Sequence, residues 1–118
     1  MAYLPPSAGA LRERVRIERR SAAPDDMGNE VAAWAPQATG IPARIAPTKG
    51  GEGVQAGRLA GLSAFDITVR ATSATNAIGP ADRLVDERSG RSFNIKWAGC
   101  LDERGRFITI LAEAGGAD

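Results

Sequence analysis

Residues 11–20, LRERVRIERR, constrain the fold of this chain more than any other segment, because their side chains alternate in character. Leu11, Val15 and Ile17 share one parity, and Arg12, Arg14, Arg16, Glu18 and Arg20 share the other. Successive strand side chains point to opposite faces, so the segment reads as a strand with one apolar and one strongly charged face. The β-branched pair Val15 and Ile17 favours a strand over a helix. Asp25, Asp26, Gly28 and Asn29 then supply turn chemistry. A returning strand over about residues 30–36 carries Trp34, expected to pack on the apolar face of Leu11, Val15 and Ile17.

The rest of the chain repeats this style in short pieces. In residues 40–47 Ile41, Ala43 and Ile45 alternate with Pro42 and Arg44; Pro42 cannot donate to a ladder, so this strand should lie at an edge or begin irregularly. Residues 48–62 hold five glycines and little periodicity, and read as a long loop with at most a weak helical turn over 54–59. Residues 63–71 form the clearest strand, with Phe65, Ile67 and Val69 on one face and Asp66, Thr68 and Arg70 on the other. The segment 72–82 reads as a loop ending in a Gly79-Pro80 turn.

Residues 83–86 and 92–97 then form a hairpin around Arg88-Ser89-Gly90-Arg91, with Phe93, Ile95 and Trp97 on one face. A last hairpin turns over 102–105 into a strand at 106–113. There Phe107, Thr109 and Leu111 oppose Ile108 and Ile110, and apolar character on both faces implies a covered position. About six or seven short antiparallel strands with turn signals between them predict an all-β fold, a small closed or partly open barrel with one long loop. Residues 11–113 form that domain, residues 1–10 a flexible arm and residues 114–118 a frayed tail.

Composition narrows the function. The 118 residues suffice for one domain, and 43% hydrophobic with 25% charged content is that of a globular chain. A net charge of +1 supplies no bulk attraction to nucleic acid or an anionic membrane. Arginine is nevertheless crowded into one stretch, at Arg12, Arg14, Arg16, Arg19 and Arg20, and arginine suits carboxylate or phosphate pairing at interfaces. There is no histidine, and Cys100 is the one cysteine, expected to be a small buried hydrophobe near a strand end. No apolar run approaches the roughly 18–20 residues that span a bilayer. The N-terminus lacks the order of a secretory signal, so a soluble protein made inside the cell is expected.

Motifs of chemistry are missing. Residues 50–53, GGEG, lack the Lys-Ser/Thr of a phosphate-binding loop. Asp25, Asp26 and Glu30 lack the alternating ligand spacing of a calcium loop. Asp102 and Glu103 are turn residues without a partner acid, and no serine or threonine has a base to activate it. No catalytic residue, metal or cofactor is indicated. The arginine face of the first strand is either a solvated face partly neutralised by Glu13 and Glu18, or a subunit or nucleic-acid surface. The aromatic residues sit on alternating apolar faces, which argues against a stacking platform for single strands.

Taken in order, these elements resemble the small head–tail joining proteins of tailed bacteriophages, also called head-closure or stopper proteins. The likeness spans about residues 8–113. It begins with the lead Gly9-Ala10-Leu11-Arg12-Glu13-Arg14-Val15-Arg16-Ile17, then the turn Asp25-Asp26-Met27-Gly28 and the tryptophan strand at Trp34. It continues with Ala43-Arg44-Ile45-Ala46-Pro47 and then Gly50-Gly51-Glu52. Ile67-Thr68-Val69-Arg70, the basic position Arg83 and the closing strands at 93–97 and 106–113 complete it. The glycine-rich 48–62 loop and the Ala/Thr/Ser-rich 71–81 loop depart from the family pattern.

The resemblance implies a homo-oligomeric ring, sixfold or twelvefold, in the neck of a virion or phage-like particle, made in the bacterial cytoplasm. Such proteins occur in phages, prophages and gene transfer agents. The implied partners are the portal or adaptor protein, the tail-terminator or tail-tube protein, and packaged double-stranded DNA passing through the lumen, with no membrane. Arg12, Arg14, Arg16, Glu18, Arg70 and Arg83 are then expected at the subunit interface. Lys49, Gly50, Gly51, Glu52, Gly53, Gln55 and Arg58 are expected in a channel or gating loop, with Lys49 and Arg58 toward DNA phosphates. A tail-terminator ring is the near alternative. An SH3- or OB-like nucleic-acid module is the alternative of another class, and it would show steeply salt-dependent DNA affinity.

Overall fold

A computed structural model describes residues 10–24, 30–48, 61–101 and 104–114, with the backbone alone described over 21–24 and 30–32. Six strands follow one another: β1 Glu13–Pro24, β2 Glu30–Pro47, β3 Ser63–Arg70, β4 Asp82–Asp86, β5 Ser92–Gly99 and β6 Phe107–Ala114. One short helix, α1 Ser73–Asn76, lies between β3 and β4. The strands close into an antiparallel barrel in the order β1-β2-β3-β6-β5-β4. Closure removes the free edges that would otherwise invite pairing with other chains.

The alternation read from the sequence fills the barrel. Val15 and Ile17 on β1, Ile67 and Val69 on β3, Leu84 on β4 and Ile110 on β6 all point inward and are at most 2% exposed. Each such burial is worth about 1.5–3 kcal/mol relative to exposure. Phe93 is 1% exposed and meets Phe65 edge-on, ring centroids 5.3 Å apart. Ile78, from the connection after α1, joins the same cluster.

Several local expectations change. The two strands expected at 30–36 and 40–47 are one continuous strand, β2. Its length is accommodated by register shifts against β1 between Val15 and Ile17 and between Ile17 and Glu18. Gly40 sits in the first of these with φ of 64°, a left-handed conformation that glycine adopts without steric cost. Its N–H donates to Glu87 Oε1 at 2.6 Å. Pro42 pairs with Arg14, and the β3 ladder begins at the next residue, Ala43, so the proline lies just outside the third-strand contact.

The expected 72–82 loop contains α1, held by a capping box between Thr72 and Thr75. Thr75 is 2% exposed and its hydroxyl also donates to the Arg70 carbonyl at 2.6 Å. The turn between β4 and β5 is an Asp86 turn: the Arg88 N–H and the Ser89 hydroxyl both donate to its carboxylate at 3.0 Å, and Gly90 takes φ of 77°.

Three side chains differ from their expected places. Trp97 does not share the inward face of Phe93 and Ile95. A bulge between Ile95 and Trp97 adds one residue to β5, which reverses the parity and turns Trp97 outward at 42% exposure. Cys100 is exposed just beyond the end of β5 rather than buried. Trp34 lies outside the inward cluster and faces the arginine side of β1. The covered position expected for the last strand holds, with β6 between β3 and β5, except that Leu111 is 41% exposed.

The β1–β2 hairpin outruns the barrel. β4 pairs with β1 only as far as Arg19, and β3 pairs with β2 only from Ala43 onward. The ladder of β1 and β2 nevertheless continues to Pro24 opposite Glu30. An arm of two strands therefore stands at one end of the barrel, and two strands alone are marginal in water.

Candidate functional site

The charged face of β1 is organised around Glu18. In the ladders Glu18 stands opposite Pro36 of β2 and Arg83 of β4, so three strands position it on the outer surface. It is only 6% exposed. Arg83 Nε donates to its Oε1 at 2.7 Å and Arg16 Nε to its Oε2 at 2.8 Å. Both carboxylate oxygens are thus engaged from two sides. Burial is the largest single influence on the carboxyl and pushes its pKa up. The hydrogen bonds from Arg16 and Arg83, with the two positive charges, outweigh it together and hold Glu18 below the ordinary carboxylate value.

Trp34 completes this surface. It pairs with Arg20 across the β1–β2 ladder, which puts both on the same face. The Arg83 guanidinium lies 4.4 Å from the centre of the Trp34 ring and that of Arg20 5.7 Å from it. Arg83 therefore binds a carboxylate and stacks on an indole at once, which its planar fork permits and a lysine would not. Two guanidinium groups, Arg16 and Arg83, share the Glu18 carboxylate, and Arg20 reaches the cluster through the Trp34 ring, so the group keeps a net positive charge.

A second lock lies beside it. Arg19 grips Asp82 at 2.9 and 3.2 Å through two nitrogens, and also donates to the Ala77 carbonyl at 3.3 Å. Asp82 is 3% exposed and accepts the Gly79 N–H at 3.1 Å. The hydrogen bonds that Arg19 donates to Asp82, with the charge of that carboxylate, raise the Arg19 pKa further above its already basic value. This pair fastens the root of the arm to the connection after α1.

The expected interface residues are thus only partly gathered. Arg16, Glu18 and Arg83 meet in one cluster. Arg14 donates to the Glu13 and Leu11 carbonyls at 3.2 and 3.4 Å, at the far end of β1. Arg12 is exposed ahead of the strand. Arg70 stands exposed at the end of β3, opposite Phe107 of β6, on another side of the barrel. Lys49, Gly50, Gly51, Glu52, Gly53, Gln55 and Arg58 lie outside the described residues, as do the turn at 25–29, the turn residues Asp102 and Glu103, and residues 1–9 and 115–118.

Sequence reading missed the outward placement of Trp34 and the exposed pair of Trp97 and Leu111, which face each other across β5 and β6. For Trp34 the signal was present, since its ladder partner Arg20 belongs to the charged parity. Among the described residues no three acidic or thiol side chains converge as a metal site, and no helix is long and apolar enough to cross a membrane.

Comparison with known proteins adds the wider context. A family model described as phage head completion protein matches residues 6–115. No curated protein matches the chain in sequence. Among solved structures, a chain from the virion of a native gene transfer agent particle superposes with a TM-score of 0.62 at 20% identity, covering 91% of this chain and 96% of its own length. The solution structure of a protein from Shigella flexneri 2a superposes with a TM-score of 0.67 at 22% identity, covering 94% and 98%. At these identities the likeness concerns the fold.

Proposed function

The chain belongs to the phage head completion protein family, a family of structural virion proteins, and on that premise we propose that it is a ring-forming stopper. In this reading it joins the portal or adaptor to the tail in the neck of a phage or phage-like particle and retains packaged DNA. The observation that carries the reading is the family match over residues 6–115. The fold supports it: a rigid closed barrel with a two-stranded arm standing beyond it is a subunit with a surface left for assembly. A superposing chain belongs to a gene transfer agent virion, which supports a place in a particle of this kind.

The charged face of β1 contributes to lateral packing in this proposal, through the outer surfaces of Arg16, Arg83 and Trp34 and the flanking Arg12 and Arg14. Arg70 serves a different contact, because it lies elsewhere on the barrel. The net charge of +1 suits a channel that lets DNA slide rather than holding it. Segment 48–62, with Lys49 and Arg58, carries the DNA-facing role.

Particles assembled without the chain, then supplied with purified protein, test the reading. Restored DNA retention and tail joining are expected. Deleting residues 50–58 should leave binding intact and let DNA leak. Heads that hold their DNA and take tails without the chain would sink the proposal.

A further inference from the structure

We propose that the β1–β2 arm turns as a unit about the bulge at its root, and that Arg83 of β4 latches it in one orientation. From Pro36 to Ile41 β2 advances five residues, while β1 opposite it advances three, from Val15 to Glu18. Two residues of β2 therefore stand outside a regular ladder. Gly40 lies in this stretch in the left-handed region, at φ of 64°. A bulge disrupts the ladder and sharpens the local twist, and hinges are a few such residues that absorb a change in backbone angles.

The arm has no core beneath it to fix its angle. β4 pairs with β1 no further than Arg19, and β3 pairs with β2 no nearer the arm than Ala43. Among the described residues, none from Glu18 to Gly40 belongs to the buried inward cluster, and Ala38 only packs against it from the root. Turning the arm therefore uncovers little apolar surface, which puts the motion among the least costly openings of the chain.

Side chains of Arg83 and Glu87 reach over β1 to β2, one on each side of the bulge. On the barrel side, the Glu87 N–H donates to the Arg14 carbonyl at 2.9 Å, and Glu87 Oε1 accepts the Gly40 N–H at 2.6 Å. On the arm side, Arg83 is fixed by Glu18 at 2.7 Å and lies 4.4 Å from the centre of the Trp34 ring. Trp34 stands opposite Arg20, the first residue of β1 past its last pairing with β4.

Glu87 thus pins the fixed side of the bulge, and Arg83 latches the moving side. Both contacts lie on the outer surface, so they break and re-form without opening the core. A surface that binds the arm at another angle must break the Arg83–Trp34 stack. One that binds Arg83 and Trp34 together holds the arm where it stands.

Distances between paired spin labels on the free, full-length chain test the latch. In a Cys100→Ser background, Ala33→Cys and Ala74→Cys label exposed sites on the arm and on α1, and Ala74→Cys with Arg88→Cys labels the barrel alone. The parent should give a narrow arm–barrel distribution. In Trp34→Ala the population away from the main peak should rise about fivefold, the ratio that loss of one cation–π contact sets. Trp34→Ala combined with Glu87→Ala should widen it further, with the barrel pair unchanged. An arm–barrel distribution as narrow in the double variant as in the parent overturns the proposal. So does a parent distribution that is already broad. Broadening of both label pairs together overturns it as well, because the two contacts would then hold the barrel rather than the arm.

Discussion

Arg83 lies with its guanidinium 4.4 Å from the centre of the Trp34 ring, an outward-facing stack that joins the short strand β4 to the long strand β2 across β1. The same guanidinium is held by Glu18 at 2.7 Å. Three strands are therefore tied on their outer surface as well as through the barrel interior. Trp34→Ala should lower the free energy of unfolding by about 1 kcal/mol, the scale of a partly desolvated cation–π contact. Trp34→Phe should lose less. Urea unfolding of the two variants checks this, and equal stability of Trp34→Ala and the parent would show that the stack contributes nothing.

Glu18→Gln removes the carboxylate that Arg16 and Arg83 share. The pair is intermediate between buried and exposed, since the side chains of Arg16 and Arg83 are 35% and 15% exposed. A loss of about 2 kcal/mol is expected, below the cost of breaking a fully buried pair and above that of a surface pair. The effect should depend on pH. The folded-state pKa of Glu18 is lowered from its ordinary 4.5. The unfolded chain therefore takes up this proton first as pH falls. The stabilisation is fully present above about pH 4.5 and is lost as pH drops through the lower folded value. The parent should approach Glu18→Gln in stability in acid, and a gap that stays constant from pH 7 to pH 3 would contradict this.

Gly99→Ala should leave the barrel folded and move the Trp97 ring. The added methyl would sit 2.5 Å from Trp97 Cζ2, and a partly exposed ring can swing away more cheaply than the strand can shift. A red shift in tryptophan emission is expected, absent when Trp97→Phe is combined with Gly99→Ala. An unchanged spectrum would mean that the ring does not lie on Gly99.

Gly40→Ala meets no neighbouring atom within 4 Å, yet φ of 64° is strained for any residue with a Cβ. The expected cost is about 1 kcal/mol, read from the urea midpoint. A neutral substitution would indicate that the β2 bulge relaxes to another register.

The barrel itself was legible because alternation over 11–17 and 65–69 coincides with strands buried on one side. Val15, Ile17, Ile67 and Val69 all point inward as their parity requires. Trp97 was misread because parity holds only while register is unbroken, and the bulge after Ile95 is a property of the β5–β6 pairing rather than of the local sequence. Trp34 was misread for another reason. Its size suggested a core, but it stands beyond the last β4 pairing, where no core lies beneath the strand.

The helix α1 escaped notice because its capping box uses Thr75 where glutamate or glutamine is usual. Of the charged cluster, the residue types were visible in sequence. Their convergence on Glu18 was not, because it depends on β4 pairing with β1 across 65 residues of chain.

The position of the chain in the particle is the most direct test of its proposed role. Purified protein is incubated with tailless, DNA-filled heads and the necks are imaged by electron microscopy. The expected result is a ring of added density directly below the portal–adaptor, whether or not the free protein is a monomer, because such a ring can assemble on its template. Density on isolated tail tubes with none on the heads would contradict the stopper role and place the chain at the tail terminus instead.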